Sequence, residues 1–96
     1  MEREERLKTL LLEIVRELVD EPEKTSVTSL SQGESMVALI VEAERGEVGK
    51  VIGRKGRNVN AIRTLFEAIG AKHKCRIVLE VNEAPVVRRG YGEQKS

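Results

Sequence analysis

The first apolar positions of the chain recur at spacings of three and four residues, the pattern of an amphipathic helix. We predict this helix over residues 4–20, with charged side chains between the apolar ones. Its apolar stripe consists of Leu7, Leu10, Leu11, Ile14, Val15, Leu18 and Val19. Such a stripe packs into a core, so we assign it no ligand. Asp20-Glu21-Pro22 ends the helix, because proline disfavours helical geometry in the residue before it.

The next two stretches change to a period of two, which is typical of strands. Thr25–Leu30 predicts a short edge strand, and the turn residues Ser31–Glu34 predict a hairpin into a second strand, Ser35–Ala43. This second strand is apolar on both faces. One face carries Val37, Leu39 and Val41, and the other carries Met36, Ala38 and Ile40. One face is expected to pack on helices, and the other to line a ligand groove, contact a partner chain or stay partly exposed.

The second half of the chain returns to helical spacing. After a turn at Glu44–Glu47, Val48–Ile52 predicts a helix of one to two turns. A longer helix follows Gly56 and ends at Gly70 or at Lys72–Lys74, where cations suit the negative end of the helix dipole. Its core stripe consists of Val59, Ile62, Phe66 and Ile69.

Alternation resumes at Cys75–Val81, which predicts a third strand with Cys75 as a small core residue. His73, just before it, is interpreted as part of the polar helix end and not as a catalytic base. No periodicity continues from Asn82 onwards. We therefore predict a single domain over residues 1–82 and a disordered tail over residues 83–96.

The turn Gly53-Arg54-Lys55-Gly56 places two cations between two glycines, immediately before the longer helix. Glycine allows sharp turns and close approach of another molecule, and a helix N terminus presents unpaired N–H groups. With Arg57 nearby, this combination suits a phosphate backbone. The alternative is an ordinary corner between two helices, whose cations only keep the loop solvated.

Gly49 lies four residues before Gly53, so both glycines share one side of the short helix. Glycine within a helix costs about 0.5–1 kcal/mol relative to alanine, so the pair needs an explanation. Either a ligand approaches this side, or the helix packs tightly on another helix. On the longer helix, Leu65 lies outside the middle of the core stripe. This position predicts that Leu65 makes a second apolar contact, for example with another subunit, unless the core stripe is wide enough to include Leu65.

Charge is unevenly distributed along the 96 residues, although the net charge is only +1. Residues 45–76 carry nine basic and two acidic side chains, whereas residues 1–23 carry four basic and eight acidic ones. The positive charge therefore lies on the segment with the glycine turn. Such a cluster is either a solvated face or an electrostatic footprint for nucleic acid.

Several classes of protein are disfavoured by the composition. The apolar runs are far shorter than the roughly 18 residues of a membrane span, and the first residues do not resemble a signal peptide. One cysteine and one histidine give no disulfide and no zinc site, so we expect a cytoplasmic protein with no cofactor or metal. No Ser–His–Asp or Cys–His arrangement and no P-loop spacing are present, so we predict no enzymatic activity and no small-molecule substrate.

The order helix–strand–strand–helix–turn–helix–strand, with Val-Ile-Gly-x-x-Gly-x-x-Val-x-x-Ile over Val51–Ile62, resembles a KH domain of type II. More closely, residues 5–82 resemble the small single-KH proteins of bacteria, the KhpA family. The most specific part runs from Gly49 through Arg57 into Ala61-Ile62-Arg63-Thr64. The resemblance implies an α+β fold, α-β-β-α-α-β, in which three helices cover one face of a three-stranded mixed sheet. It also implies a narrow groove for about four single-stranded nucleotides.

The resemblance further implies a set of RNA-binding residues. These are Gly49, Lys50, Ile52, Gly53, Arg54, Lys55, Gly56, Arg57 and Asn60. The loop from Gly53 to Gly56 would hold the sugar-phosphate backbone, the residues before it would form one wall of the groove, and Val37–Val41 would close the other side. Val59 stands where the pattern usually has Ile, a change in volume too small to alter the fold.

Two functions follow as expectations. The first is a single-stranded RNA binder and, as the resemblance implies, an RNA chaperone that affects cell-wall synthesis and cell shape. It would act with a KhpB, or Jag-like, partner or as a dimer with itself. The second is a protein-interaction adapter with secondary RNA binding, in which Leu65, the two-faced strand and the acidic first helix matter most. No membrane association is expected for either.

Overall fold

The computed structural model describes residues 2–84 of the chain. Its helices and strands follow the order α-β-β-α-α-β, with single 3₁₀ turns at Pro22–Lys24 and Arg54–Gly56. The elements are α1 (Glu2–Arg16), β1 (Ser26–Gln32), β2 (Met36–Ala43), α2 (Arg45–Ile52), α3 (Arg57–His73) and β3 (Arg76–Glu83). This order confirms the α+β fold that the sequence predicts.

β2 is the central strand of a three-stranded sheet, between β1 and β3. It pairs antiparallel with β1 across the hairpin at Gly33, and parallel with β3. A parallel pair needs a long crossover connection, which α2 and α3 supply. The mixed sheet and its order are those of the type II KH arrangement.

One hydrophobic core joins the three helices to one face of the sheet. Alternate residues of the strands, among them Leu39 and Leu79, point into this core, together with Leu11 of α1, Val51 of α2 and Phe66 of α3. Period-two alternation sends the neighbouring strand residues to the second face of the sheet. Within residues 2–84, the three helices contribute their buried side chains to the core on the first face.

The first helix ends earlier than its apolar pattern predicts. α1 stops at Arg16, and the N–H of Leu18 donates to the carbonyl of Val15 in a tighter turn. Val19 remains buried beyond the helix end. Leu10, predicted as core, is 38% exposed, because it lies about 100° around the helix from the buried Leu11.

The other boundaries differ because hydrogen bonding extends elements past their apolar residues. α2 begins at Arg45, not Val48, since the carbonyl of Glu44 accepts the N–H groups of Glu47 and Val48. β3 continues to Glu83, whose register partner is Ala43, so the strand includes the first residue of the predicted tail.

Residues 85–96 of the predicted tail lie outside the described residues. Within residues 2–84, no helix has both the length and the apolar character that crossing a bilayer needs.

Candidate nucleic-acid interface

Gly53–Gly56 forms a tight corner between α2 and α3, hereafter the glycine corner. The N–H of Gly53 donates to the carbonyl of Gly49 at 2.8 Å and closes α2. The N–H of Gly56 donates to the carbonyl of Gly53 at 3.0 Å, and α3 begins at Arg57. The cations of the corner are therefore held within one turn of a helix N terminus.

Gly53 is required both by its backbone conformation and by a neighbouring side chain. Its φ of 80° and ψ of 166° fall in a region that is essentially restricted to glycine. A Cβ atom here would lie 2.6 Å from Cγ of Asn58. Asn58 occupies this space because its Nδ2 donates to the carbonyl of Lys50 at 3.0 Å. Asn58 thus ties the last turn of α2 to the first turn of α3 and fixes the shape of the corner.

The corner also contains two left-handed residues, Lys55 at φ 57° and Gly56 at φ 74°. A left-handed conformation costs a residue with a side chain about 1–2 kcal/mol, whereas glycine adopts it freely. The flanking helices hold Lys55 in this conformation, and its side chain is exposed. Asn60 lies beside the corner, since its Nδ2 is 3.4 Å from the position that a Cβ on Gly56 would take.

Arg54, Lys55 and Arg57 present three exposed cations at the N terminus of α3. Among the residues that the structure describes, none of the three takes part in an ion pair. No side chain caps α3 at Gly56, so its first N–H groups have no acceptor from a capping side chain. Backbone donors, the positive end of the dipole and three side chains thus converge at a site that favours an anion.

Lys50 lies one turn before the glycine corner, and its ammonium group contacts acceptors of the protein itself. Its Nζ lies 3.4 Å from Oδ2 of Asp20 and 3.4 Å from Oε1 of Glu47, and donates to the carbonyl of Gly46 at 3.2 Å. Glu47 and then Asp20 raise the pKa of Lys50 above its ordinary value. The ammonium group of Lys50 is therefore paired with two carboxylates of the protein itself.

Glu47 connects α2 to the segment that follows α1. Its carboxylate is buried and accepts the backbone N–H groups of Asp20 at 3.2 Å and Glu21 at 2.6 Å. Burial acts to raise the pKa of Glu47, but the two N–H donors and Lys50 outweigh it and hold that pKa below its ordinary value. An ionised Glu47 thus anchors the helix that leads into the glycine corner.

Gly49 differs from Gly53 in its surroundings. It is exposed, and a Cβ added to it would have no heavy atom of a neighbouring element within 4 Å. Tight packing on another helix, one of the two explanations for this glycine, therefore does not apply to it. The half-buried Ile52 lies three residues further along the same side, so this side of α2 is open to a ligand.

β3, and not the predicted Val37–Val41, is the strand beside α2 at an edge of the sheet. β2 has a neighbour on each side, and its inward side chains are buried beneath the helices. The Nε of Arg45 lies 3.3 Å from Oε2 of Glu83 and links α2 to the end of β3. At this edge of the sheet the structure therefore places β3 next to α2, where the sequence prediction put Val37–Val41.

The free edge of β3 carries backbone groups that point away from β2. The N–H groups of Arg76 and Ala84 donate to residues of, or next to, β2. The backbone N–H and C=O groups of the odd-numbered residues between them therefore point away from β2. Arg63 of α3 covers one of these groups, since its Nε and Nη2 donate to the carbonyl of Leu79 at 3.3 and 3.2 Å. The backbone N–H and C=O groups of Val81, two residues further along the strand, also point away from β2, on the side where α2 lies.

Leu65 lies apart from the glycine corner. It is 50% exposed on α3, as expected for a residue outside the core stripe. One turn along, Ile69 and Leu10 of α1 line a cleft of about 730 Å³ between the two helices. These three apolar side chains form a surface, hereafter the helix face, in which Leu10 and Leu65 are exposed and Ile69 also packs against the core.

The structure thus groups Gly53–Arg57 and Asn60 at one corner, places Gly49, Lys50 and Ile52 on the preceding helix, and separates Leu65 from both. Sequence reasoning missed Asn58 and Glu47. Asn58 gives a weak signal, a short polar side chain in the first turn of a helix, where such residues bind nearby backbone groups. Glu47 gives none, because its partners lie 26 and 27 residues away along the chain.

Comparison with known proteins identifies the family of the chain. A family model described as the KH domain of KhpA/KhpB matches residues 8–81. The chain belongs to this family. The match includes both α2 and α3 with the glycine corner between them, and it confirms the resemblance to the KhpA family that the motif indicates.

Curated relatives cover nearly the same extent. "RNA-binding protein KhpA" of Aquifex aeolicus is 42% identical over 77 residues, which are 80% of this chain and 96% of that protein. The proteins of the same name from Listeria monocytogenes and Chlamydia trachomatis are 36% and 34% identical over 80% of this chain, and the match covers 100% and 97% of them. No solved structure gives a significant match.

Proposed function

We propose that this protein binds single-stranded RNA and holds its sugar-phosphate backbone at the glycine corner. The main support is the set of exposed cations Arg54, Lys55 and Arg57, which have no acidic partner within residues 2–84. The names of the bacterial relatives support RNA as the bound polyanion. In this proposal the glycine corner is a binding site and not only a solvated turn.

The proposed contacts divide into two groups. The backbone N–H groups and the side chains of Arg54 and Lys55 donate to phosphate oxygens, with Arg57 and Asn60 nearby. These contacts fix the position of the strand without reading its sequence. Gly49, the aliphatic stem of Lys50 and Ile52 form the wall along which a ribose and base approach α2.

Recognition of the bases is expected to be weak. The chain has one Phe, one Tyr and no Trp. Because Phe66 is buried in the core, its ring cannot stack on a base. Base contacts then come from aliphatic packing and from hydrogen bonds to the outward-facing backbone at Val81. A single domain of this kind has a loose sequence preference, and a second domain raises the affinity through avidity.

The direct test compares the Arg54→Asp, Lys55→Asp double variant with the wild type by fluorescence anisotropy on a labelled single-stranded RNA. Loss of two phosphate contacts should lower affinity and reduce the slope of log K against log salt by about 1.4. The matched control is Lys72→Asp, Lys74→Asp, which changes the same charge at the other end of α3. Equal losses in both variants, or an affinity that ignores salt in the wild type, would refute the proposal.

In the cell, we propose that the protein acts as an RNA chaperone in the cytoplasm with a KhpB, or Jag-like, partner or with a second copy of itself. The helix face at Leu65 supports such a contact, because Leu65 and Leu10 are exposed. A role in cell-wall synthesis and cell shape follows from the family resemblance. Leu65→Asp should disturb association and leave RNA binding by the isolated domain unchanged, as measured by pull-down and anisotropy.

A second candidate is an adapter whose main activity is protein association, with RNA binding secondary. The exposed Leu65 favours it. The Arg54→Asp, Lys55→Asp variant separates the two functions in cells. If RNA crosslinking and the cellular phenotype both survive this change, the adapter function is preferred.

A further inference from the structure

The outer face of the sheet is not used by the core, by the glycine corner or by the helix face. It consists of the residues of β1, β2 and β3 that alternate with the buried ones. Its central row is apolar: Leu30, Ala38 and Val78 are register partners across the three strands. Leu30 is 58% exposed, the most exposed of the large apolar side chains within residues 2–84.

The rows on either side of this centre have opposite character. On one side, Ile40 pairs with Glu80. On the other, Met36 pairs with Arg76. Neither charged residue takes part in an ion pair within residues 2–84, and both are exposed.

This pattern is self-complementary under a two-fold rotation. The axis lies in the plane of the face, perpendicular to the strands, and follows the central row. Rotation about it places a second sheet against the first, with each strand antiparallel to its own copy. Arg76 of each copy then lies opposite Glu80 of the other, and Met36 opposite Ile40, because each pair is equidistant from the central row. Leu30, Ala38 and Val78 meet their own equivalents.

We propose that the outer face of the sheet binds a second copy of this chain, face to face. The bonds expected are two symmetry-related Arg76–Glu80 ion pairs around an apolar centre. A nucleic acid does not fit this face, because it carries Glu42 and Glu80 against a single cation, Arg76. The contact is separate from the helix face at Leu65 and does not depend on RNA binding.

The size of the face indicates a weak dimer. Three strands spaced by 4.8 Å, with about 3.3 Å for each residue, give a flat area of about 400 Å² for each copy. A stable interface buries about 800 Å² for each partner, so a transient contact is expected. The strand directions of two sheets packed in this way differ by up to about 30°. The long Arg76 and Glu80 side chains can still reach each other across this angle.

The test uses charge exchange, measured by sedimentation equilibrium of the full chain from about 10 µM to 1 mM. Glu80→Arg and Arg76→Glu each create two like-charge contacts and should raise the dimer dissociation constant about tenfold. The double variant Arg76→Glu, Glu80→Arg should return to within about threefold of the wild type. A mixture of the two single variants should associate more strongly than either alone, because one face is then acidic and the other basic.

Two controls separate this contact from others. Glu67→Arg and Lys72→Glu make the same charge changes on the exposed side of α3 and should leave association unchanged. The series is repeated in a Leu65→Asp background, so that only contacts outside the helix face remain. Leu30→Ser should also weaken association there, with unchanged RNA affinity and an unchanged melting temperature.

The proposal is overturned if the Leu65→Asp protein is monomeric at the highest concentration, or if the single charge variants associate as the wild type does. It is also overturned if the mixture gains nothing over its components. Loss of RNA binding in the glycine-corner variants does not bear on it, so the two proposals fail independently.

Discussion

The last turn of α2 and the glycine corner that follows it carry cations in opposite situations. In the last turn of the helix, Lys50 is held by Glu47 and Asp20, and its partners have raised its pKa. In the glycine corner, Arg54 and Lys55 have no acidic partner within residues 2–84. One region uses charge to position a helix, and the other leaves charge available for a ligand. A count of cations along the sequence does not distinguish the two.

The largest effect is expected from changing the backbone of the corner. Gly53→Ala places a side chain in a region restricted to glycine and against Asn58, so we expect a loss of about 2–3 kcal/mol in the free energy of unfolding. RNA affinity should fall as well, because the corner changes shape. Urea denaturation measures the first effect and anisotropy the second. An unchanged stability would show that the left-handed corner is not as rigid as the Asn58 contact indicates.

The comparison of the two cations gives the next effect. Lys55→Ala should weaken RNA binding about three- to tenfold and reduce the salt slope by about 0.7, the loss of one phosphate contact. Lys50→Ala should change affinity less than Lys55→Ala, because the ammonium group of Lys50 is already paired. Anisotropy titrations over a salt series measure both. The reverse order would place the phosphate beside the last turn of α2 and would contradict the distinction drawn between Lys50 and the cations of the glycine corner.

A third prediction separates stability from binding at Gly49. Since a Cβ there meets no neighbouring element, Gly49→Ala should stabilise the protein by about 0.5–1 kcal/mol, the ordinary gain of alanine over glycine in a helix. If this open side of α2 lies against RNA, the same change should lower RNA affinity. Thermal unfolding and anisotropy on the same samples give the two values. A variant that gains stability and keeps full affinity would exclude Gly49 from the interface.

The smallest effect concerns Glu47 and depends on pH. Because the fold lowers the pKa of Glu47, its ionised form stabilises the protein above the unfolded pKa of about 4.3, and this contribution is lost as pH falls through the folded pKa. Glu47→Gln should therefore lower the melting temperature at pH 7, and the difference from wild type should vanish on acidification. A difference that is the same at pH 3 and pH 7 would show that the carboxylate charge is not the cause.

The fold was predictable because its signals are local and repeated. The period of 3.6 in α1 and α3 and the alternation in β2 and β3 fixed the element types. The glycines around Arg54 and Lys55 marked the corner, as a left-handed backbone requires. Element ends were less predictable. α2 begins three residues before Val48 and α1 stops before Leu18, because these limits depend on backbone hydrogen bonds and tertiary packing.

The site was only partly predictable. Nothing in the sequence shows that Lys50 is paired with Asp20, 30 positions earlier along the chain, or that the strand beside α2 is β3 and not Val37–Val41. Both facts follow from how distant segments pack together. The motif therefore indicated the corner correctly as a structure, while the state of each charge around it required the folded chain.

The most direct measurement of the central claim is a titration of ¹⁵N-labelled protein with a short single-stranded RNA, followed by amide chemical shifts. We expect the largest shifts at Gly53–Arg57 and Asn60, smaller ones along Gly49–Ile52, and none on the outer face of the sheet at Ala38 and Val78. Shifts that are largest on that outer face or on the helix face at Leu65, with the amides of the glycine corner unchanged, would contradict the account.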